Sequence, residues 1–441
     1  IYINLTGAGT ASAALLEEMR GYIETFKGEG KFVIAYGETY SQGGYYLASM
    51  ADSIYLNPVG EMDWRGMAMP VVFYKGALDK LGIEPQVFRH GTFKSAVEPY
   101  ILNRMSPENR TQMETIANSI WGTMVEDIAE ERNLSIDSLN MFATDLTAMM
   151  AEDALANRMV DGLKYEDEVE DILREMLELD ADEDIPMVTL GEYIAANPYT
   201  PTYSDNKIEV IYAEGQIVQG TSEQGTLGSS TLADQLAEAR LDEEVKAVVL
   251  RVNSPGGSAL ASEVIWREME LLRQQKPVIV SMGDYAASGG YYISAPADAI
   301  IADATTLTGS IGVFGLMFNA EKALNNKLGV TIDVAKTNPS ADMGMPFRAV
   351  SSNERTKIMR SIEQVYSTFV NHVADGRNMT FDSVDAIGQG RVWTGNDGNR
   401  IGLVDQIGGL QYAIAVAADK AECSDDYMVR ESMGEQTGLA A

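Results

Sequence analysis

Ser288 lies in Ala286-Ala287-Ser288-Gly289-Gly290, where its neighbours carry almost no side chain. A hydroxyl left open in this way can attack a carbonyl carbon, and the N–H of Gly289 could hold the oxyanion that forms. The same residues also suit a plain packing turn, because small residues are common turn chemistry. A second small-residue stretch, Asn253-Ser254-Pro255-Gly256-Gly257-Ser258, offers a partner. Proline followed by Gly256 and Gly257 lets the backbone bend close to a ligand and present N–H groups. Alone it reads equally as a strand-to-helix turn. Facing a Ser-Gly-Gly turn, it is the expected other half of an oxyanion hole.

A nucleophilic serine needs a proton acceptor within hydrogen-bond reach. The chain has two histidines, His90 and His372. His372 sits at the polar-to-apolar edge of a helix and reads as a packing residue. His90 lies in Phe88-Arg89-His90-Gly91-Thr92-Phe93-Lys94-Ser95-Ala96-Val97, with no adjacent acid to orient it in a Ser/His arrangement. Lys94 is the other candidate. Phe93, Ala96 and Val97 flank it, and an amine works as a base when burial lowers its pKa.

The elements that carry these residues occur twice. Residues 278–282 form a short apolar run, the pattern of a buried parallel strand, and place Ser288 at a strand's C-terminal end, where open α/β sheets do their chemistry. A helix start follows, which would aim backbone N–H groups at anything bound beside it. From Gly283-Asp284 to Gly289-Gly290-Tyr291-Tyr292 the pattern repeats that of Gly37-Glu38 to Gly43-Gly44-Tyr45-Tyr46. At a nearly constant offset, Lys80-Leu81-Gly82-Ile83 matches Lys327-Leu328-Gly329-Val330, and Asn133-Leu134-Ser135-Ile136-Asp137-Ser138 matches Asn378-Met379-Thr380-Phe381-Asp382-Ser383. The chain is therefore two copies of one domain. In the first copy Gln42 takes the place of Ser288; in the second, Thr337-Asn338-Pro339-Ser340-Ala341 has no lysine where the first has Lys94. One copy kept the lysine and the other kept the serine, which a composite site explains.

Strands are expected over 1–5, 31–36, 208–212, 248–252 and 278–282, and helices over 13–27 and 166–178. A long helix after Ser106-Pro107-Glu108 carries a core stripe of Met113, Ile116, Ile120, Met124 and Ile128. Its twin carries Ile358, Ile362, Val365, Phe369 and Val373. The helix after Ser258 should bury Ala261, Val264, Ile265 and Leu272 on one side. This alternation gives an α/β fold with mainly parallel sheets. The expected domains are 1–195 (N-terminal repeat), a linker at 196–207 around Asn197-Pro198-Tyr199-Thr200-Pro201, and 208–441 (C-terminal repeat).

Composition narrows the function. Lys and Arg number 33 against 65 Asp and Glu, for a net charge of −32, which argues against a nucleic-acid or other phosphate-binding surface. One cysteine, Cys423, rules out an intrachain disulfide framework, and two histidines with one cysteine argue against structural zinc. No cofactor motif is expected. There is no apolar run long enough to span a membrane. The chain opens at Ile1 inside a predicted strand, so the first repeat is expected to be truncated, with a signal or anchor in the missing segment.

Five stretches in order resemble the signal peptide peptidase A (protease IV) family in its long two-repeat bacterial form. They are Gly91-Thr92-Phe93-Lys94-Ser95-Ala96-Val97-Glu98-Pro99, Asn253-Ser254-Pro255-Gly256-Gly257, Ala287-Ser288-Gly289-Gly290-Tyr291, Leu307-Thr308-Gly309-Ser310-Ile311-Gly312-Val313 and Gly390-Arg391-Val392-Trp393-Thr394-Gly395. The resemblance implies a tandem of two Clp protease/crotonase-like domains and a Ser/Lys peptidase. It assigns Ser288 as nucleophile, Lys94 as general base, Ser310 as the residue orienting the lysine, and Gly289 with Gly256 and Gly257 as oxyanion donors. Trp64 stands near the Ser310 place in the first copy. The resemblance further implies peptide substrates, spent signal peptides among them. It also implies a homo-oligomer, expected as a tetramer, tethered to the bacterial inner membrane and facing the periplasm. An apolar groove for such substrates is expected along the strand from Ile311, Gly312 and Val313 to Phe314. A crotonase-like acyl-CoA enzyme and a catalytically silent scaffold are the alternatives.

Overall fold

The computed structural model describes residues 1–432 apart from 8, 10, 181 and 199–202, so part of the expected linker lies outside the described residues. The chain divides into two compact units. One comprises Ile1–Met67 with Asn118–Asp205, the other Ala68–Ala117 with Asn206–Ala441. Residues 68–117, which belong to the first repeat by sequence, therefore fold with the unit that carries Ser288.

The first unit is built on a four-stranded parallel sheet, in the order Tyr2–Asn4, Ile34–Tyr40, Ser53–Met62, Gly162–Leu163. Helices Ala13–Gly28 and Glu166–Met176 match the expected pair, the second ending two residues early at Met176. The helix Pro107–Arg132 buries Ile116, Ile120, Met124 and Ile128, while Met113 is only partly covered.

The second unit holds an eight-stranded sheet. Val392–Thr394, Leu307–Gly309, Val278–Ala287, Val245–Ser254, Lys207–Glu214 and Met428–Ser432 lie side by side in that order. Ala299–Ala302 shares an edge of the Val278–Ala287 strand, and Gln406–Ile407 lies beside it. Every pairing is parallel except that of Leu307–Gly309 with Val392–Thr394. Strands buried on both faces read as continuous apolar runs, and Val278, Ile279, Val280 and Met282 are fully buried. The strand register against Val245–Ser254 slips between Met282 and Ala286, a bulge that bends the chain just before Ser288. Two antiparallel strands, Glu84–His90 and Val313–Asn319, form a separate ribbon packed on the helix Ser352–Arg377. In the helix Ala259–Arg273 the buried row is Ala261, Ser262, Ile265, Met269 and Leu272. Val264 is 42 % exposed: it falls on the flank of that row, not within it as expected.

The two copies share more than sequence. In the first unit Asp52 Oδ2 accepts from Val33 N–H (2.8 Å) and Asp161 Oδ2 from Ile54 N–H (2.8 Å). Their counterparts are Asp298 with Val278 N–H (2.9 Å) and Asp405 with Ile300 N–H (2.7 Å). Tyr45 Oη donates to Met159 O at 2.8 Å, and Tyr291 Oη to Leu403 O at 2.9 Å. Arg132 pairs with Asp161 as Arg377 pairs with Asp405. Asp161 and Asp405 thus each start a strand and neutralise a largely buried guanidinium. Asp405→Ala should therefore destabilise the fold by about 1–3 kcal/mol, read by denaturant unfolding, because it orphans both the Ile300 N–H and Arg377.

Candidate active site

Ser288 joins the strand Val278–Ala287 to the short helix Gly289–Ser294 with φ 54° and ψ −117°. A non-glycine residue rarely adopts such a backbone, which costs on the order of 1–3 kcal/mol and persists only when the surroundings enforce it. Here Ser288 N–H donates to Gly309 O (2.9 Å) and Ser288 O accepts from Tyr292 N–H (2.9 Å). The residue is left partly exposed at the end of the sheet.

Lys94 reaches the Ser288 hydroxyl from the turn after the strand Glu84–His90. Its Nζ lies 3.2 Å from Ser288 Oγ, 2.9 Å from Ser310 Oγ and 3.1 Å from Ser310 O, all within one chain. The residue is only 5 % exposed. Burial lowers its pKa from 10.5 to about 8, and no charged neighbour contributes. A neutral amine has two N–H groups and one lone pair. Ser310 O can only accept, and Ser310 Oγ can accept the second N–H, which leaves the lone pair for the Ser288 hydroxyl proton. Ser310 is itself fixed at φ 52°, with its N–H donating to Arg391 O at 2.7 Å.

Opposite Ser288 stands the Gly256-Gly257 loop. Gly256 has φ +95°, and a Cβ there would come within 2.5 Å of Gly289 N and 2.8 Å of Ser288 Cβ, so only glycine fits. Its own N–H donates to Ser254 Oγ at 3.2 Å. Among the described residues, the N–H groups of Gly257 and Gly289 have no hydrogen-bond partner. A Cβ on Gly289 would lie 3.1 Å from Gly257 N, so these two donors border one space. Unpaired backbone N–H groups inside a protein are rare, and a pair of them beside a serine can stabilise an oxyanion.

A family model described as Peptidase family S49 matches residues 25–180 and again 270–424. The chain belongs to peptidase family S49. Protease 4 of Salmonella typhi is 41 % identical to it over 432 residues, 95 % of this chain and 68 % of that protein. Serine protease SPPA, chloroplastic, of Arabidopsis thaliana is 34 % identical over 413 residues, 92 % of this chain and 61 % of that protein. Among solved structures, a ClpP1 mutant from Listeria monocytogenes has 13 % identity and a TM-score of 0.31, over 46 % of this chain and 94 % of that one. As a member of family S49 the chain is a serine peptidase, which removes the acyl-CoA and silent-scaffold alternatives. The family match falls once on each copy, as the internal repeat requires.

Within this S49 chain the remaining candidates take other places. His90 stacks on Tyr366, ring centroids 3.9 Å apart. His372 stacks on Trp266 at 3.6 Å and bonds Glu263 at 3.0 Å. Neither histidine is among the partners of Ser288. Gln42, at the serine's position in the first unit, spends its amide on that unit's own backbone: its Oε1 accepts from Arg65 N–H (2.9 Å) and Gly66 N–H (2.7 Å). Trp64 is buried there, donating to Leu139 O at 2.9 Å.

Ile311 is 1 % exposed and belongs to the same buried apolar cluster as Tyr366, so its side chain does not line an open groove. Gly312 packs on Gly390, where a Cβ would lie 2.6 Å from Gly390 Cα and 3.3 Å from Lys94 Cδ. Val313 pairs with His90, and Phe314, beyond it, is exposed. Sequence reasoning missed Gln112, which is buried and links Ser95 to the far side of the site. Its Oε1 accepts from Val392 N–H (2.9 Å) and its Nε2 donates to Ser95 Oγ (3.3 Å). A polar residue beside the long helix's apolar stripe was the only signal for it.

The depressed amine makes a stability prediction. Below about pH 8 Lys94 is protonated in both states, and the folded chain bears the full cost of a buried ammonium. Between about 8 and 10.5 the unfolded chain binds more protons, so stability rises with pH. Lys94→Met should thus be more stable than the parent at pH 7, with its margin shrinking by up to about 3 kcal/mol by pH 10.5. Denaturant unfolding of both proteins across that range measures it.

Proposed function

We propose that this chain is an endopeptidase with a Ser/Lys dyad, in which Ser288 is the nucleophile, Lys94 the general base and Ser310 the residue that orients the amine. The observation in its favour is an amine held 3.2 Å from a serine hydroxyl in a place almost closed to water. Neutral Lys94 takes the Ser288 proton as Oγ bonds to a peptide carbonyl carbon. Gly289 and Gly257 hold the resulting oxyanion, each donor lowering the barrier by about 3 kcal/mol. Gly256 shapes the loop and donates to Ser254, so its part is to bring Gly257 into place. The Lys94 ammonium then protonates the leaving amine, and an acyl-enzyme remains. Lys94 next removes a proton from water, which attacks the ester, and returns it to Ser288 Oγ.

The substrates we propose are unfolded apolar polypeptides, spent signal peptides in particular. An SppA relative from Enterococcus faecium, 39 % identical over 210 residues, bears the name putative signal peptide peptidase. The resemblance of the five motif stretches also favours a place on the bacterial inner membrane, facing the periplasm, and a tetramer. Among the described residues no helix is long and apolar enough to cross a membrane. In favour of self-assembly, the second unit leaves Leu328, Val330, Ile332, Met343 and Met345 exposed within one stretch of sequence, apolar side chains that association would cover. Light scattering should return four times the mass of the 48.0 kDa chain; a monomer would refute the tetramer.

Ser288→Ala and Lys94→Ala should each abolish cleavage of a denatured apolar polypeptide while leaving the fold intact. Lys94→Arg should fail as well, since a guanidinium keeps its proton. For the parent, kcat/KM should climb with pH through a midpoint near 8 as Lys94 loses its proton. A fluorophosphonate should label Ser288. Full activity in Lys94→Arg, or a rate flat from about pH 6 to 10, would exclude the lysine base.

A further inference from the structure

We propose that Gln389, held by Asp385 and Tyr366, is a positioning residue for the Lys94 amine; this rests on the Ser/Lys reading above. The tripeptide Gln389-Gly390-Arg391 touches both arms of the site through its backbone. Gln389 O accepts from Phe93 N–H (2.9 Å), the residue before Lys94. Gly390 N–H donates to Ile311 O (2.7 Å), and Arg391 O accepts from Ser310 N–H (2.7 Å). One short segment thus sets the lysine turn and the Ser310 turn against each other. Gly390 also lies directly on Lys94, because a Cβ there would meet Lys94 Cβ at 2.6 Å and Lys94 Cα at 2.8 Å.

The segment is itself held in an unfavourable shape. Gln389 has φ 54° and Gly390 φ +79°, so the first is a non-glycine residue in the left-handed region. Something must fix it there. Gln389 N–H and Nε2 both point to Tyr366 Oη (3.3 and 3.2 Å), and Nε2 donates to Asp385 Oδ1 at 2.5 Å. Tyr366 Oη in turn donates to Asp385 Oδ1 at 2.5 Å. Tyr366 comes from the middle of the helix Ser352–Arg377 and is buried, and Asp385 comes from the helix Phe381–Ile387. Two helices thereby lock one loop conformation, and that conformation holds the lysine turn. Gly91, at φ +109°, lets the lysine turn approach: a Cβ there would be 2.5 Å from Gln389 O. None of these three side chains contacts Ser288 or Lys94 Nζ, so they act through backbone.

The charged groups on the elements around Lys94 are few and do not face its amine. Arg89 donates to Lys94 O (3.3 Å), Arg391 lies over the Phe93 ring (5.1 Å), and Glu98 is taken up by Ser106 and Asn109. His90 stacks on Tyr366. The amine's titration therefore reports how well it is sealed from water, and loosening the clasp moves it toward its free value.

The test compares Asp385→Ala, Asp385→Asn and Gln389→Gly in the full chain, using a fluorogenic peptide with an apolar core and a fluorophosphonate. Asp385→Ala and Gln389→Gly should lower kcat by roughly tenfold to a hundredfold with KM little changed, the loss expected of an ångström-scale misplacement. They should also slow labelling of Ser288 and move the acid limb of the rate profile upward from about pH 8. Asp385→Asn, whose amide oxygen can still accept both bonds, should restore rate and limb. Glycine tolerates the φ of Gln389, so Gln389→Gly keeps the test open should Asp385→Ala fail to fold. An unshifted limb in Gln389→Gly, or an Asp385→Asn as impaired as the alanine variant, overturns the positioning role. If Lys94→Ala is active in the same assays, it is the Ser/Lys reading that falls; if Lys94→Ala is dead while Gln389→Gly is normal, only the clasp falls.

Discussion

An amine kept out of water is the constraint on which the rest of the site depends. Desolvation is the one effect that depresses Lys94, and it works only while no anion stands nearby to restore the proton. In a chain with 65 acidic and 33 basic residues, such a neighbourhood has to be made deliberately. The nearest carboxylate along the chain from the lysine, Glu98, is buried and occupied by Ser106 and Asn109. Ser310 supplies what a neutral amine needs, two acceptors and no charge.

Closing water out requires backbones to approach more nearly than side chains would allow. Gly256 against Gly289, Gly312 against Gly390, and Gly390 against Lys94 are all contacts that a single methyl group would prevent. Two of the residues that cannot be glycine, Ser288 and Ser310, still take up positive φ and are held there by hydrogen bonds to Gly309 and Arg391. The strain sits on two of the residues to which the proposed mechanism gives a role, and the neighbouring strands and turns hold it in place.

Much of this could be read from the chain before folding. The apolar run before Ser288, the Gly-Gly pairs and the repeat all follow from local pattern, and the absence of the lysine in one copy and the serine in the other pointed to a shared centre. What could not be read is long-range. No periodicity says that residues 68–117 pack with the second unit rather than the first. Ile311 was expected to line the apolar groove, yet it is buried in the core, and Gly312 beside it is the residue packed near Lys94. Gly256 and Gly257 were equivalent as letters; only the Ser254 hydroxyl, which occupies one of their two N–H groups, tells them apart. Tyr366, Asp385 and Gln389 come from two helices and a loop whose meeting is a matter of tertiary packing.

The lysine and the serine stand 194 residues apart in the chain. Synthesis proceeds from the N-terminus, so a ribosome releases Lys94 long before Ser288 exists, and the Gln389 loop emerges after both. A polypeptide cut short before Ser288 carries the amine without its hydroxyl partner, and a fragment from the other end carries the hydroxyl without the amine. Under the proposed dyad, hydrolysis would have to wait until residues 68–117 and the stretch from Asn206 onward have folded into their one unit.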